Sequence, residues 1–226
     1  MSLKPIIVYG SGPSPNPWKV YITLEELNIP YERKEIPFSD VKKEPYISIN
    51  PNGRLPAIED HNTGITLWES GAIVEYLVET YDKENKISFS AGSKDYFLAN
   101  QWLHFQVSGQ GPYFGQAAWF KLFHPEQVQS AQERYINEIR RVYGVLDKTL
   151  ADREYLVGGK FSYADLAFVP WIGVVSMFEV DLAKEFPNVD TWLNRQLARP
   201  VLGRLIKERD VIAAKLHAAR AEVVKN

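Results

Sequence analysis

Glu69 and Ser70, an acid and a hydroxyl side by side, open an apolar-periodic run that extends to about Tyr81. Helix starts attract anions, because the first-turn amides have no partner within the helix and lie at the positive end of its dipole. A carboxylate docked at Ser70 would meet a hydroxyl, a backbone amide and that dipole, and an ammonium beside it would meet Glu69. Just upstream, Arg54-Leu55-Pro56 leads into a short apolar strand (Ala57, Ile58), a turn (His61 to Gly64) and a second strand (Ile65 to Trp68). A turn backbone of this kind can pair with a peptide by strand addition. One compact stretch thus suits a small zwitterionic peptide. Read alone, Glu69 and Ser70 are equally well a favourable charge and a cap at a helix start.

A second group, Ser14-Pro15-Asn16-Pro17, enters the first helix. Pro17 fits the first helical position, which makes Asn16 the N-cap, held extended by the proline after it. Its amide oxygen can accept from the helix while its NH2 points outward. A thiolate docked there would meet that NH2, nearby amides and the helix dipole. A free thiol with a pKa of about 8.5 is only a few per cent ionised at neutral pH. Lowering that value by about two units takes about 2.7 kcal/mol, which one or two charged hydrogen bonds and the dipole can supply. Spacing alone favours a plain cap. The chain has no cysteine, so a disulfide framework, a zinc-thiolate centre and a cysteine nucleophile are excluded, and any reacting thiol belongs to the ligand.

Other chemistries find little support. Gly10-Ser11-Gly12 is no nucleotide loop, since Pro13, Pro15 and Pro17 remove the amide donors that a phosphate cradle needs. The four histidines (His61, His104, His124, His217) lack metal-ligand spacing, and no metal is expected. A net charge of −2 gives no electrostatic case for nucleic acid or an anionic membrane. No apolar run reaches the roughly 18 residues of a membrane span, and the expectation is a soluble, cytoplasmic protein.

The elements that must position these groups read in two blocks. Ile6 to Tyr9 is a predicted strand, residues 18–27 a helix stopped by Asn28 and Pro30, and Tyr31 to Ile36 a strand parallel to the first. A poorly patterned stretch, Phe38 to Ile49, leads to the turn signal Asn50-Pro51-Asn52-Gly53. With the hairpin and the helix after it, residues 1–83 make a small α/β domain. Polar residues from Tyr81 to Ser93 fit a linker, and residues 93–226 read as an all-helical domain with runs at 93–120, 126–151, 163–178, 187–198 and 200–218. Ser162 and Asp165 form a predicted capping box with Phe161 and Leu166 as its staple. Glycines and aromatics from Phe105 to Phe123 suit either a pocket wall or close helix packing.

Several segments together resemble the glutathione transferase family: Pro15-Asn16-Pro17-Trp18-Lys19-Val20, Asn50-Pro51-Asn52-Gly53-Arg54-Leu55-Pro56, Trp68-Glu69-Ser70-Gly71-Ala72-Ile73 and Trp102-Leu103-His104-Phe105-Gln106. So do Ser108-Gly109-Gln110-Gly111-Pro112, Gly115-Gln116 and Glu133-Arg134-Tyr135. They are most similar to the fungal branch related to the yeast prion and nitrogen-regulatory protein, and to the bacterial nu-class disulfide-bond reductases. One departure is that only a few residues precede the first strand, where the prion regulator carries a long Asn/Gln-rich extension.

The resemblance implies a thioredoxin-like domain followed by a helical bundle domain, with glutathione as co-substrate and no other cofactor. It implies a cis bond at Leu55-Pro56, with Leu55 pairing to the cysteinyl backbone of glutathione. Glu69 would hold the γ-glutamyl ammonium and Ser70 its carboxylate, while Arg54 and Lys42 or Lys43 are candidates for the glycine carboxylate. Asn16, with Ser14, would stand at the sulfur in place of the usual catalytic Tyr or Ser; Tyr9 reads as core. Phe105, Ser108, Tyr113, Trp119 and Arg134 would line a pocket for a small electrophile or disulfide. A homodimer and a role in detoxification by conjugation, or in disulfide or peroxide reduction, follow from the same resemblance. The alternative is a catalytically weak binding or regulatory module on the same scaffold.

Overall fold

The computed structural model describes residues 2–173 and 175–225. The chain forms two compact units, Met1–Glu84 with Arg199–Asn226, and Asn85–Ala198.

The first unit is built on a four-stranded sheet in the order β2-β1-β3-β4, with β1 Ile6–Gly10, β2 Tyr31–Glu35, β3 Ala57–Asp60 and β4 Ile65–Trp68. β1 and β2 are parallel, joined through helix α1 (Pro15–Glu26), and the other neighbours are antiparallel. The result is the mixed sheet with helices of a thioredoxin-like domain. Side chains alternate across β1 as a strand requires. Ile6 and Val8, with Ile58, join the fully buried Val20, Ile22, Leu24, Ile73, Val74 and Leu77 of α1 and α3 (Ser70–Tyr81). On the other face Tyr9 and Ala57 pack with Val41, Tyr46 and Leu55, under a short helix, α2 (Tyr46–Ile49), that weak patterning had concealed.

Local chemistry sets the ends of these elements. Asn28, at φ 55°, closes α1, and Ile29 N–H returns to the Leu24 carbonyl at 2.8 Å, the left-handed exit that Asn tolerates best after Gly. Gly10 is required by a close approach: a Cβ there would lie 2.1 Å from the Tyr21 hydroxyl of α1. Asp60 accepts from Tyr76 OH at 2.7 Å, from Tyr81 OH and from Asn62 N–H at 2.8 Å. These bonds tie the middle and the C-terminal end of α3 to the β3–β4 turn.

Residues 199–226, grouped in the sequence with the helical domain, pack with the first unit. Helix α11 (Pro200–Lys225) lies on α1, buries Leu202 and Leu205, and is flanked by Arg199–Glu26 at 3.0 Å and Arg33–Glu208 at 2.5 Å.

The second unit holds α4 (Lys94–Phe105), α5 (Gly111–Leu122), α6 (Gln129–Leu150), the single-turn helices α7 (Tyr163–Leu166), α8 (Val169–Ile172) and α9 (Leu182–Glu185), and α10 (Pro187–Leu197). The run at 93–120 is interrupted by a π turn, Gln106–Gln110, in which Gly111 N–H bonds to the Gln106 carbonyl. Pro112 has no N–H for Ser108, which removes the ordinary i→i−4 bond there. The run at 163–178 also breaks, because Pro170 cannot donate to the Leu166 carbonyl. A Cβ on Gly115 would stand 3.5 Å from Trp171, and one on Gly109 3.4 Å from Phe105, both ordinary van der Waals distances, so packing does not require glycine at either position. The expected capping box is present at Ser162 and Asp165. Asp165 is fully buried and also accepts from Leu156 N–H at 3.0 Å and Trp192 Nε1 at 2.9 Å. The predicted linker is partly absorbed here, with Ile87 and Ser88 buried and the Ile87 carbonyl accepting from Tyr163 N–H at 2.8 Å.

Candidate functional site

The candidate site residues of the first unit fall on four segments. The first is the head of α3. Ser70 is its first residue and is 5% exposed; its Oγ accepts from Lys19 Nζ at 3.2 Å. Glu69 precedes it with an exposed carboxylate and a backbone at φ 74°, ψ 115°, a region that non-glycine residues rarely adopt. Backbone outliers of this kind collect at ligand clamps.

The second segment is the turn before β3. Tyr46 OH and Asn50 Nδ2 each donate to the Arg54 carbonyl at 2.6 Å. Gly53 sits at φ 61°, where a Cβ would meet the Val41 carbonyl at 3.0 Å. The Leu55-Pro56 bond is cis, both residues are buried, and the Arg54 side chain is exposed. Asn52 Nδ2 donates to Glu69 Oε1 at 3.4 Å, which joins this turn to the head of α3.

The third segment is the loop into α1. Helix α1 begins at Pro15 with Ser14 as its cap, two residues earlier than the sequence reading, and Asn16 lies inside the first turn, half-buried. Both Ser14 and Asn16 precede a proline; the chain takes the extended conformation at Ser14 (ψ 123°) and enters the helix there. Pro15 and Pro17 have no N–H, so Asn16 is the only residue of these three with a backbone amide donor. The loop is held by Trp18 Nε1 to the Gly12 carbonyl at 2.9 Å and Gly12 N–H to Glu35 at 3.0 Å. Tyr9 stands apart from this chemistry. It is buried, donates to Glu59 at 3.0 Å, and burial with that bond pushes its hydroxyl up to about 12.

The fourth segment is the stretch before α2. Lys43 is paired with Asp40 at 2.9 Å. It lines a cleft of about 370 Å³ with Tyr9, Lys34, Ile36 and Tyr46.

Comparison with known proteins decides the family. Residues 4–79 match the glutathione S-transferase N-terminal domain and residues 112–200 the C-terminal domain. The chain is 53% identical to the glutathione S-transferase-like protein tpcF of Aspergillus fumigatus, over 88% of this chain and 93% of that one. It belongs to the glutathione S-transferase family.

Within the family it falls in the Ure2-like branch. It is 36% identical to the transcriptional regulator URE2 of Saccharomyces cerevisiae, over 86% of this chain and 65% of that one. It superposes on the crystal structure of the glutathione transferase URE2P8 from Phanerochaete chrysosporium with oxidized glutathione, with a TM-score of 0.89 and 40% identity, covering 93% of this chain and 97% of that one. The GST fold, a thioredoxin-like domain followed by a helical domain, is thereby shown.

In this member of the glutathione S-transferase family, the residues expected at a second-substrate pocket all lie on the second unit, in separate settings. Phe105 packs inward against Trp102 and Phe168, with ring centroids 5.8 and 6.2 Å away. Ser108 is exposed and donates to the His104 carbonyl at 2.7 Å. Tyr113 faces Tyr135 at 6.5 Å and the Arg141 guanidinium at 5.7 Å. Trp119 is exposed and stacked on Phe123 at 6.0 Å, and Arg134 is exposed on α6. Among the described residues no group of three or more His, Cys, Asp or Glu could hold a metal, and no helix is long and apolar enough to cross a membrane. The His217 side chain lies outside the described residues.

The sequence reading quoted Lys19 within a motif but gave it no role. The signal was available: a lysine between Trp18 and Val20, on a helix where Pro17 to Leu24 are all buried, contradicts the apolar pattern around it. Asn52 and Tyr46, which brace the turn and Glu69, were seen only as turn chemistry and unpatterned sequence.

Proposed function

We propose that this protein binds glutathione in its first unit and uses the ligand's sulfur as a thiolate nucleophile. Glu69 takes the γ-glutamyl ammonium, and Ser70, with the start of α3, takes the γ-glutamyl carboxylate. Leu55 pairs with the cysteinyl backbone, while Arg54 and Lys42 or Lys43 serve the glycine carboxylate. Asn16 and Ser14 stabilise the sulfur by hydrogen bonds, with no side chain acting as base.

Two reactions suit such a thiolate. In conjugation, sulfur forms a bond to an electrophilic carbon, and either a leaving group departs with its electron pair or the adjacent atom takes a proton. In disulfide reduction, sulfur attacks one sulfur of a disulfide and expels the other as a thiolate; a second glutathione then releases oxidised glutathione. Tyr113, Trp119 and Arg134, with Phe105 and Ser108, are the groups that this reading gives to the second substrate. A cytoplasmic homodimer acting in detoxification completes it.

The observation that supports this reading is the head of α3. A nearly buried hydroxyl and an exposed carboxylate on a positive-φ residue stand together, bonded through Asn52 to the turn before a cis proline. Titration calorimetry with glutathione, followed by turnover assays with an aryl halide, a peroxide and a mixed disulfide, tests it. Affinity with turnover on any of these supports the proposal. Absence of glutathione binding overturns it. The likeness to a transcriptional regulator favours one second reading, a binding module, and binding without turnover on the whole panel would decide for it. Sedimentation giving about twice the 25.9 kDa chain mass supports the dimer, and a monomer excludes it.

A further inference from the structure

Lys19 is 1% exposed, in the middle of α1. Helix packing has no use for an ammonium at such a place, because taking a charge out of water is costly unless it is paired. Burial pushes its pKa down to about 7, with the Glu69 carboxylate pulling the other way. Its Nζ contacts Ser70 Oγ at 3.2 Å. A charged amine has three protons and no lone pair. When Lys19 carries its charge, Ser70 therefore accepts from it, and the Ser70 hydroxyl proton is turned away from Lys19 toward another acceptor.

We propose that Lys19 is a positioning residue for the γ-glutamyl carboxylate of glutathione, making Ser70 a one-way donor and placing a positive charge behind the head of α3. The inference rests on the glutathione reading of that site. Two features reinforce each other. A carboxylate at the helix start gains the first-turn amides, and it also lies one hydroxyl away from a poorly solvated ammonium, where charges interact far more strongly than in water. The docked carboxylate in turn adds negative charge beside Lys19, which favours its charged form.

The test compares glutathione with an analogue whose γ-glutamyl α-carboxylate is replaced by hydrogen, γ-aminobutyryl-cysteinylglycine. Affinities of both are measured for the wild type, Lys19→Met and Lys19→Gln. The expected result is that Lys19→Met weakens glutathione roughly tenfold or more and the analogue by less than about twofold, the size of one lost charged interaction. Lys19→Gln keeps a donor without the charge and falls between. A measurement on the wild type alone guards against a variant that does not fold. With isotope-labelled lysine, the Lys19 side-chain resonance shifts on adding glutathione and much less on adding the analogue.

The possible failures are distinguishable. A wild type that binds the two ligands equally overturns the assignment of the carboxylate to Ser70, and this inference with it. A wild type that prefers glutathione, with Lys19 variants that keep the same preference or a Lys19 resonance that moves equally with both ligands, overturns the role of Lys19 and leaves the Ser70 site standing.

Discussion

Asn52 and Glu69 are joined by a side-chain hydrogen bond of 3.4 Å that links the turn ahead of β3 to the residue ahead of α3. Two backbone specials, the positive φ of Gly53 and that of Glu69, stand on either side of that link. The exposed carboxylate of Glu69 is carried on a backbone that its own residue type disfavours.

Glycine at position 69 separates these two roles. Glu69→Ala and Glu69→Gly both remove the carboxylate, and each is expected to weaken glutathione binding by roughly tenfold to a hundredfold. Only glycine is at ease at φ 74°, so Glu69→Gly should melt above Glu69→Ala by an amount on the order of 1 kcal/mol. Calorimetric melting and titration measure both; a more stable alanine variant would show that the backbone relaxes without cost.

Asn16 carries the thiol chemistry in the proposed mechanism. Asn16→Ala should raise the pKa of bound glutathione by about one unit or more, the equivalent of one lost hydrogen bond to a charged acceptor. Turnover near neutral pH should fall with it, while affinity changes less. Ser14→Ala should do the same more weakly. Ultraviolet titration of the bound thiolate reads the shift directly, and an unchanged thiol in Asn16→Ala removes that residue from the mechanism.

Lys19 makes the stability of the unliganded protein depend on pH. Its pKa is near 7 when folded and about 10.4 when unfolded. A depressed pKa contributes stability that is present above the unfolded value and is lost as pH falls through the folded one. The wild type should therefore lose stability relative to Lys19→Met between about pH 10 and pH 7, with little further change below. Denaturant titrations at three pH values across that window check it, and parallel curves would mean that Lys19 stays charged when folded.

Asp165 should matter for folding and not for ligand contacts. Burial pushes its carboxyl up to about 6, against the hydrogen bonds that it accepts. Asp165→Ala leaves Leu156 N–H, Ser162 N–H and Trp192 Nε1 without their acceptor. At about 1–3 kcal/mol for each buried orphan, the loss exceeds roughly 3 kcal/mol. Thermal melts should show a large drop, and whatever protein remains folded should bind glutathione normally.

Much of this was legible in the sequence where local chemistry dominates. The Asn28 stop, the hairpin at His61 to Gly64, the head of α3 and the capping box at Ser162 follow from residues within a few positions of one another, and the structure has them in those places. What the sequence hid depends on long-range contacts or competing local signals. The cap moved from Asn16 to Ser14 because two X-Pro steps offered the same preference. The helical runs at 93–120 and 163–178 were interrupted, at 106–110 and 167–168, where a proline's missing N–H outweighed an unbroken apolar period. The buried bond from Lys19 to Ser70 joins residues 51 positions apart, a separation that periodicity cannot register.

The packing of α11 on α1 has a consequence for how the protein is made. Arg33 and Glu208, which close that packing, are 175 positions apart, so the first unit to leave the ribosome is the last to be completed. Its opening sheet and helices must wait, with part of the surface of α1 uncovered, until the whole of the second unit and then α11 have been translated. Chains pass through this interval exposed to aggregation. A C-terminal fusion or truncation that hinders α11 would therefore show itself as a lower yield of native protein before it altered any property of the molecules that do fold.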